Sequence, residues 1–148
     1  MKVSTKGRYG LRALVDLTVH SNEGHVSLVS IAGRQSISLN YLEQVFASLR
    51  KAGIVKSIKG SQGGYELARP ANEIKVEEII QILEGDYAIV DETIYDDSEH
   101  DYIRLAVKKL VWDRINVQVK DLLTSTTLED LAQEYQRLNG TQIDMYFI

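Results

Sequence analysis

Apolar residues recur at helical spacing in three stretches near the start of the chain. The first covers residues 5–20 and follows the i, i+3, i+4, i+7 rule. A shorter stretch over residues 28–34 follows Ser27, whose hydroxyl is suited to capping a helix. Ser38 precedes the third stretch, which runs to about residue 52. The pattern predicts three helices, the last two joined by a tight turn.

Two short extended runs follow, separated by a turn. Residues 54–59 are rich in β-branched side chains, residues 60–64 contain three glycines, and residues 65–68 form the returning run. This arrangement is typical of a β-hairpin. Three helices followed by a hairpin is the order of a winged helix-turn-helix. The predicted fold class is therefore mostly α with a small β-hairpin wing, plus a long C-terminal dimerisation helix.

The second half of the chain predicts helices and loops. Residues 76–84 form a fourth helix, residues 86–98 an acidic exposed loop, and residues 99–123 a long helix. A capping-box pattern at residues 126–129 begins a last helix that ends near residue 138, before an apolar tail over 140–148. We predict two parts: a winged helix-turn-helix DNA-binding domain over 1–85, and the loop, dimerisation helix and C-terminal helix with tail over 86–148.

The predicted third helix has two faces of opposite character. Its apolar face consists of Leu39, Leu42, Phe46 and Leu49. Its opposite face, which we call the recognition face, consists of Asn40, Glu43, Gln44 and Ala47. Asn and Gln pair with adenine edges, and Glu accepts from the cytosine amino group. The recognition face is suited to a DNA major groove; in an isolated helix it would be a solvated surface.

Charge divides the chain at its only proline, Pro70. Residues 1–70 contain ten Lys and Arg against four Asp and Glu, a net charge of +6, whereas residues 71–148 contain seven against seventeen, a net charge of −10. A basic half can bind phosphates although the whole chain carries −4. The predicted DNA-binding residues outside the recognition face are Ser38, Tyr41, Arg50, Lys51, Lys56, Lys59, Gly60, Ser61, Lys2 and Arg8.

The long helix carries a broad apolar stripe. We define the apolar stripe as Ile103, Val107, Leu110, Val111 and Ile115. A monomer of this size cannot easily cover it, and a twofold pair of chains would bury it. Such a pair would present two recognition helices about 34 Å apart to a pseudo-palindromic site. The alternative is that the stripe packs within its own chain against the first helix.

Several functions are disfavoured by composition. The chain has no cysteine, which removes thiolate metal sites and thiol nucleophiles, and its three histidines lack metal-ligand spacing. No nucleophile, metal set or paired acids converge by spacing, so we predict no catalytic residues, metal or cofactor, and no enzyme. No apolar run is long enough to span a bilayer, and no signal sequence is visible, so the expected location is the cytoplasm without a membrane partner.

Four motifs resemble the Rrf2 family of bacterial transcription regulators. They are STKGRYG at 4–10, SLNYLEQ at 38–44, LRKAG at 49–53 and GSQGGY at 60–65. The resemblance implies a winged helix with a long dimerisation helix. It also implies DNA contacts from Asn40, Glu43 and Gln44 and from the wing at Lys59 and Gly60. Many members bind an iron–sulfur cluster through three cysteines before the dimerisation helix. This chain has no cysteine there, so we predict no cluster.

The C-terminal half is similar to the CymR type of the family, which represses cysteine metabolism. The similarity lies in STTLEDLA at 125–132 and in MYFI at the end. It implies regulation by complex formation with cysteine synthase, an enzyme that accepts partner tails ending in isoleucine. The predicted partner-binding tail is Tyr146, Phe147 and Ile148; alternatively, the tail packs on the dimer. Two further hypotheses are a module that acts mainly by binding a metabolic enzyme, and a small-molecule-sensing regulator of other genes.

Overall fold

The computed structural model describes residues 2–92 and 101–147, apart from the side chains of residues 23 and 141–147. Its helices are α1 (Thr5–Val19), α2 (Leu28–Gln35), α3 (Leu39–Lys51), α4 (Val76–Glu84), α5 (Tyr102–Val107), α6 (Asp113–Ser125) and α7 (Leu128–Phe147). Strands β1 (Val55–Ile58) and β2 (Gly64–Leu67) pair antiparallel. Short 3-10 turns lie at Ser21–Glu23 and Ala71–Glu73. The predicted fold class, mostly helical with a β-hairpin wing, is confirmed.

One hydrophobic core joins the first four helices to the hairpin. It contains Leu14 and Leu17 of α1 and Leu42, Phe46 and Leu49 of α3, all without exposed surface. The apolar side of α3 therefore lies where its periodicity predicts, and Leu39 is only partly buried at the edge. The Phe46 ring meets the Tyr65 ring edge-on at 5.0 Å between centroids, which ties α3 to the wing.

Close helix packing depends on two glycines of α1. A Cβ atom on Gly10 would lie 2.4 Å from Cδ1 of Leu83 and 3.2 Å from Cγ1 of Val45. A Cβ atom on Gly7 would lie 2.4 Å from Oε1 of Glu84. A methyl group at either position would have to displace the end of the Leu83 or Glu84 side chain, so the two glycines permit the present contacts between α1 and α4.

The connection between α2 and α3 is a single tight turn. Ser36 takes the left-handed conformation at φ 56°, and Ile37 is buried behind it. The Ser27 hydroxyl accepts from the Ser30 amide to cap α2, and the Ser38 hydroxyl accepts from the Tyr41 amide to cap α3. Both predicted caps are therefore present, and they determine where the two helices begin.

The second half of the chain departs from the sequence prediction in three places. The long helix, Tyr102–Ser125, includes a π-helical turn at Lys108–Trp112 that joins α5 to α6. The last capping box is formed by Thr127 and Asp130, one residue later than predicted: the Asp130 amide donates to Oγ1 of Thr127, and the Thr127 amide donates to the Asp130 carboxylate. The predicted start of the long helix at residue 99 and residues 93–98 of the predicted loop lie outside the described residues.

Helix α7 is longer than predicted. It continues through Gly140 to Phe147, whereas the sequence indicated an end near residue 138 and a separate tail. A glycine costs only about 1 kcal/mol inside a helix, so it does not have to end one. Leu128, at the start of α7, is fully buried in the main core, so the chain returns to the winged helix after the long helix. Among the described residues, no helix is both long and apolar enough to cross a membrane.

Candidate nucleic-acid interface

The recognition face of α3 is fully open to solvent. Asn40, Glu43, Gln44 and Ala47 are all exposed, while the core side of the same helix is buried. Arg50 and Lys51 follow on its last turn and are also exposed. The helix thus presents hydrogen-bonding side chains along its face and two cations at its end, the arrangement needed to contact base edges and phosphates.

Two predicted DNA-binding residues at the start of α3 also have roles within the protein. Ser38 is the N-cap of α3. Tyr41 is half-buried: its ring meets the Tyr9 ring edge-on at 6.1 Å, and its hydroxyl donates to Oγ1 of Thr5 at 3.4 Å. Tyr41 therefore connects the first turn of α3 to the first turn of α1.

A buried carboxylate on α1 holds the end of α2. Asp16 is 5% exposed and is the charged residue that the described part of the chain buries. Its Oδ1 accepts from Nη2 of Arg34 at 2.6 Å, and its Oδ2 accepts from Nε of Arg34 at 3.0 Å and from Nε2 of Gln35 at 2.9 Å. The Nδ1 atom of His20 lies 3.5 Å from the same carboxylate. This cluster fixes α2 just before the turn that leads to the recognition helix.

The wing places its predicted residues at an exposed tip. Lys59, Gly60 and Ser61 are all exposed in the connection between β1 and β2. Lys56 lies lower on β1, directly opposite Glu66, and its Nζ is 3.1 Å from the Glu66 carboxylate. Lys56 is therefore partly neutralised by its own sheet, which leaves Lys59 as the wing cation closest to the tip.

The wing is attached to the region before α2 as well as to the core. Backbone hydrogen bonds join Val26 and Tyr65 in both directions, at 2.9 and 2.8 Å, as in an isolated β-bridge. Nε2 of His25 contacts the backbone carbonyl oxygen of Gln62 near the wing tip. The orientation of the wing relative to the helix-turn-helix is therefore constrained on two sides.

The predicted cations of the N-terminal segment occupy different surroundings. Lys2 is exposed beside the segment that follows α4. Arg8 is exposed on α1 at the rim of a groove of about 600 Å³ between α1, α2 and α7. Lys2 and Arg8 therefore lie beside different elements of the protein.

The first turn of α1 is capped from a distance by Glu84. Oε1 of Glu84 accepts from the Ser4 hydroxyl at 2.6 Å, the Ser4 amide at 2.9 Å and the Gly7 amide at 3.0 Å. These bonds favour the charged carboxylate, with the Ser4 hydroxyl contributing most, and they hold the pKa of Glu84 below its ordinary value. A side chain at position 7 would displace this carboxylate from its hydrogen bonds.

The apolar stripe of the long helix is exposed along its whole length. Ile103 is 81% exposed, Leu110 61% and Ile115 36%, and Val107 and Val111 lie between these limits. Neither α5 nor α6 contains a buried residue. Packing against α1 within the chain, the alternative raised from the sequence, does not cover the stripe in this structure. The side chains of the predicted tail, Tyr146 to Ile148, lie outside the described residues.

A helix-turn-helix with an exposed polar recognition helix, followed by a wing, defines the class of winged helix-turn-helix DNA-binding proteins. Residues 3–134 match the Rrf2 family, described as an iron-dependent transcriptional regulator. The chain belongs to this family of transcription regulators, and the resemblance noted in its motifs is confirmed.

Two relatives illustrate the match. The regulator CymR of Bacillus subtilis strain 168 is 46% identical over 132 residues, which cover 89% of this chain and 90% of CymR. The solved structure of CymR, the global cysteine regulator of B. subtilis, has a TM-score of 0.78 at 44% identity and covers 90% and 98% of the two chains. IscR of T. potens has a TM-score of 0.73 at 45% identity and covers 91% and 88%. Since the curated relatives are transcription regulators, the prediction that the protein is not an enzyme is confirmed.

The residues of this chain do not suit an iron–sulfur cluster, although the family is described as iron-dependent. The chain contains no cysteine at any position, so no thiolate can bind iron. Within residues 2–92 and 101–147, no group of three or more acidic or histidine side chains comes together to hold a metal. The absence of a cluster stays a prediction of the sequence.

Two functional residues were not identified from the sequence. Asp16 and Glu84 each hold an element that carries candidate DNA contacts, through partners 18 and 80 positions away in the chain. For Asp16 a signal was available: it is an acid between Val15 and Leu17, on a helix whose neighbouring positions are apolar. For Glu84 no local pattern distinguishes it from an ordinary residue in the last turn of a helix.

Proposed function

We propose that the protein is a homodimeric repressor that binds pseudo-palindromic operators of cysteine or sulfur metabolism genes in the cytoplasm. The observation that carries the proposal is the exposed recognition face of α3, presented between a tight helix-turn-helix and a wing with a cation near its tip. Asn40, Glu43 and Gln44 contact base edges, and Arg50, Lys51 and Lys59 contact phosphates. Ser38, Tyr41, Lys56, Gly60, Ser61, Lys2 and Arg8 complete the proposed interface.

DNA recognition is tested with a duplex selected from a randomised library by the wild-type protein. Binding is measured by fluorescence anisotropy against a duplex of equal length and scrambled sequence. Replacing Glu43 or Gln44 by alanine should cost about 1–3 kcal/mol on the selected duplex. Gln81→Ala, at an exposed position on α4, is the matched control and should bind as the wild type does. Unchanged affinity in both recognition-face variants would reject the assignment.

Salt dependence separates DNA binding from the alternative of a module that acts only on a metabolic enzyme. Each phosphate contact contributes about 0.9 to the slope of log affinity against log salt. Lys59→Ala should reduce that slope by about one such contact while leaving the sequence preference intact. A protein with no salt-dependent DNA affinity would support the enzyme-binding alternative instead.

The homodimer is supported by the exposed apolar stripe. Five large apolar side chains on one helix, exposed by 36–81%, are more than a monomer usually leaves in contact with water. A twofold pair would bury the stripe and set two recognition helices on one face of the duplex. Sedimentation equilibrium of the wild-type protein tests this arrangement.

The cysteine-metabolism role is supported by similarity to CymR, the global cysteine regulator of B. subtilis. It is tested by mapping the genomic sites that the protein occupies in its own cell. Enrichment upstream of cysteine and sulfur genes is the expected result. Enrichment elsewhere, with the selected operator still bound, would support DNA recognition but indicate that the protein regulates a different set of genes.

We also propose cysteine synthase as a partner, bound through Tyr146, Phe147 and Ile148. The support is the similarity of the C-terminal motifs to the CymR type and the isoleucine at the end of the chain. Calorimetric titration of the cognate enzyme with the intact chain and with a chain lacking these three residues tests the proposal. Binding only by the intact chain is expected; no binding by either would direct the search to a small-molecule effector.

A further inference from the structure

The buried Asp16 carboxylate is placed where it controls the orientation of the helix-turn-helix. Its hydrogen-bond partners on α2, Arg34 and Gln35, are the last two residues of that helix. Ser36 follows immediately in the left-handed conformation, and Ser38 caps the recognition helix. Two residues separate the end of α2 from that cap, so a shift of Gln35 is transmitted directly to the start of α3.

Gln35 is held to α1 at two points. Its side-chain amide donates to Asp16 at 2.9 Å, and its backbone carbonyl accepts from Nη2 of Arg12 at 2.7 Å. Asp16 and Arg12 lie four residues apart on α1, on the same side of that helix. Together they fix both the position and the rotation of the end of α2.

Stability alone does not explain a buried carboxylate at this place, where the side chain of its partner Arg34 is 37% exposed. Apolar residues of similar volume are often as stabilising as a buried pair, because desolvation of the charges offsets their attraction. Hydrogen bonds, however, are directional, whereas apolar contacts allow one surface to slide over another. Base readout requires side chains within about 0.5 Å of their productive positions. The hydrogen bonds of Asp16 fix the orientation of the end of α2 relative to α1.

We propose that Asp16 is a positioning residue for operator recognition: it holds Arg34 and Gln35 so that the recognition face meets the base edges in register. The proposal rests on the DNA-binding function proposed above. Asp16 does not touch DNA, because it is buried inside the domain. It therefore affects the contacts that depend on orientation and leaves the number of phosphate contacts unchanged.

The change of charge in Asp16→Asn and the loss of orientation should alter DNA affinity in opposite directions. Asp16→Asn removes one negative charge from a domain that binds a polyanion, and by charge alone it should tighten binding to any DNA. Loss of orientation should do the reverse, and only on the selected operator. We expect Asp16→Asn to weaken operator binding about tenfold. Affinity for the scrambled duplex and the slope with salt should stay at their wild-type values or rise slightly.

A second variant separates positioning from folding. Asp16→Leu combined with Arg34→Met removes both charges and leaves neither of them unpaired, so the domain should stay folded, with a urea midpoint close to that of the wild type. The double variant should nevertheless lose operator preference as Asp16→Asn does. Glu73→Gln is the matched control, because it removes the same negative charge from an exposed position away from the Asp16 cluster; it should bind as the wild type does.

The outcomes are distinct. Weaker operator binding at unchanged scrambled-duplex affinity, in a fully folded variant, supports the positioning role. Operator affinity equal to that of the wild type in both variants overturns it, as does a parallel loss on both duplexes that follows the folded fraction. A wild-type protein that does not distinguish the two duplexes would instead refute the proposed function, and the same titrations reveal this before any variant is compared.

Discussion

The winged-helix body and the long helix differ in how much of their apolar surface is buried. In the body, Leu14, Leu42 and Phe46 have no exposed surface, and one core joins α1–α4, the wing and the start of α7. In the long helix, no residue is buried and Leu110 is 61% exposed. The core of the body is therefore formed within one chain, whereas the long helix carries an exposed apolar surface that we propose a second copy covers.

Charge is divided at a different point of the chain. The basic residues of the first 70 positions lie on the body that carries the recognition face, and the acidic excess lies in the remainder. The long helix, Tyr102–Ser125, carries five Lys and Arg against two Asp and Glu, so the acidic excess lies in residues 71–101 and 126–148. The positive field of residues 1–70 lies beside the proposed DNA contacts. The net charge of −4 thus describes neither part of the protein.

The largest expected effect comes from opening the core of the body. Phe46→Ala removes a fully buried ring that also packs on Tyr65, and it should lower the free energy of unfolding by about 3–5 kcal/mol. Urea unfolding followed by circular dichroism measures this loss. Ala47→Ser, at the exposed neighbouring position, is the control and should change little. A small loss for Phe46→Ala would contradict the tight packing of this ring in the core of the body.

A charge introduced into the apolar stripe should affect the proposed dimer contact of the long helix and not the core of the body. Leu110→Asp would bury a carboxylate in each half of the proposed dimer and should weaken association by about 3 kcal/mol, a hundredfold or more in the dissociation constant. Sedimentation equilibrium measures the change. Lys109→Asp, at an exposed adjacent position on the helix, should associate more strongly than Leu110→Asp. A fully dimeric Leu110→Asp would show that the stripe is not the interface.

The smallest effect concerns the cap on α1. Because hydrogen bonds from Ser4 and Gly7 lower the pKa of Glu84 in the folded state, its charged form stabilises the protein at neutral pH. That stabilisation is present above the unfolded pKa and is lost as the pH falls through the lowered folded pKa. Glu84→Gln should therefore be less stable than the wild type at pH 7, with the difference shrinking towards about pH 3.

The measurement is urea unfolding at both pH values, with Glu73→Gln as a control at an exposed acidic position. The difference in free energy of unfolding between Glu73→Gln and the wild type should not shrink in this way between the two pH values. A gap between Glu84→Gln and the wild type that stayed constant from pH 7 to about pH 3 would contradict the capping role.

Local rules predicted most of the body correctly. The caps at Ser27 and Ser38, the end of α4 before Gly85 and the glycine-rich hairpin all depend on neighbouring residues, so periodicity and capping identify them. The same periodicity separated the buried face of α3 from its recognition face. These predictions hold because a helix that packs on one side must place its apolar residues every three or four positions.

By itself, then, the sequence determined the winged-helix order, the recognition face and an apolar stripe too broad for one chain. Tertiary structure decided the rest: the link from Asp16 to Arg34, the Glu84 cap on α1, and the return of Leu128 to the core. It also decided that α7 continues past Gly140 and that a π turn joins α5 to α6. Spacing along a chain reports which face of an element is apolar, but contacts between residues far apart depend on how the elements pack.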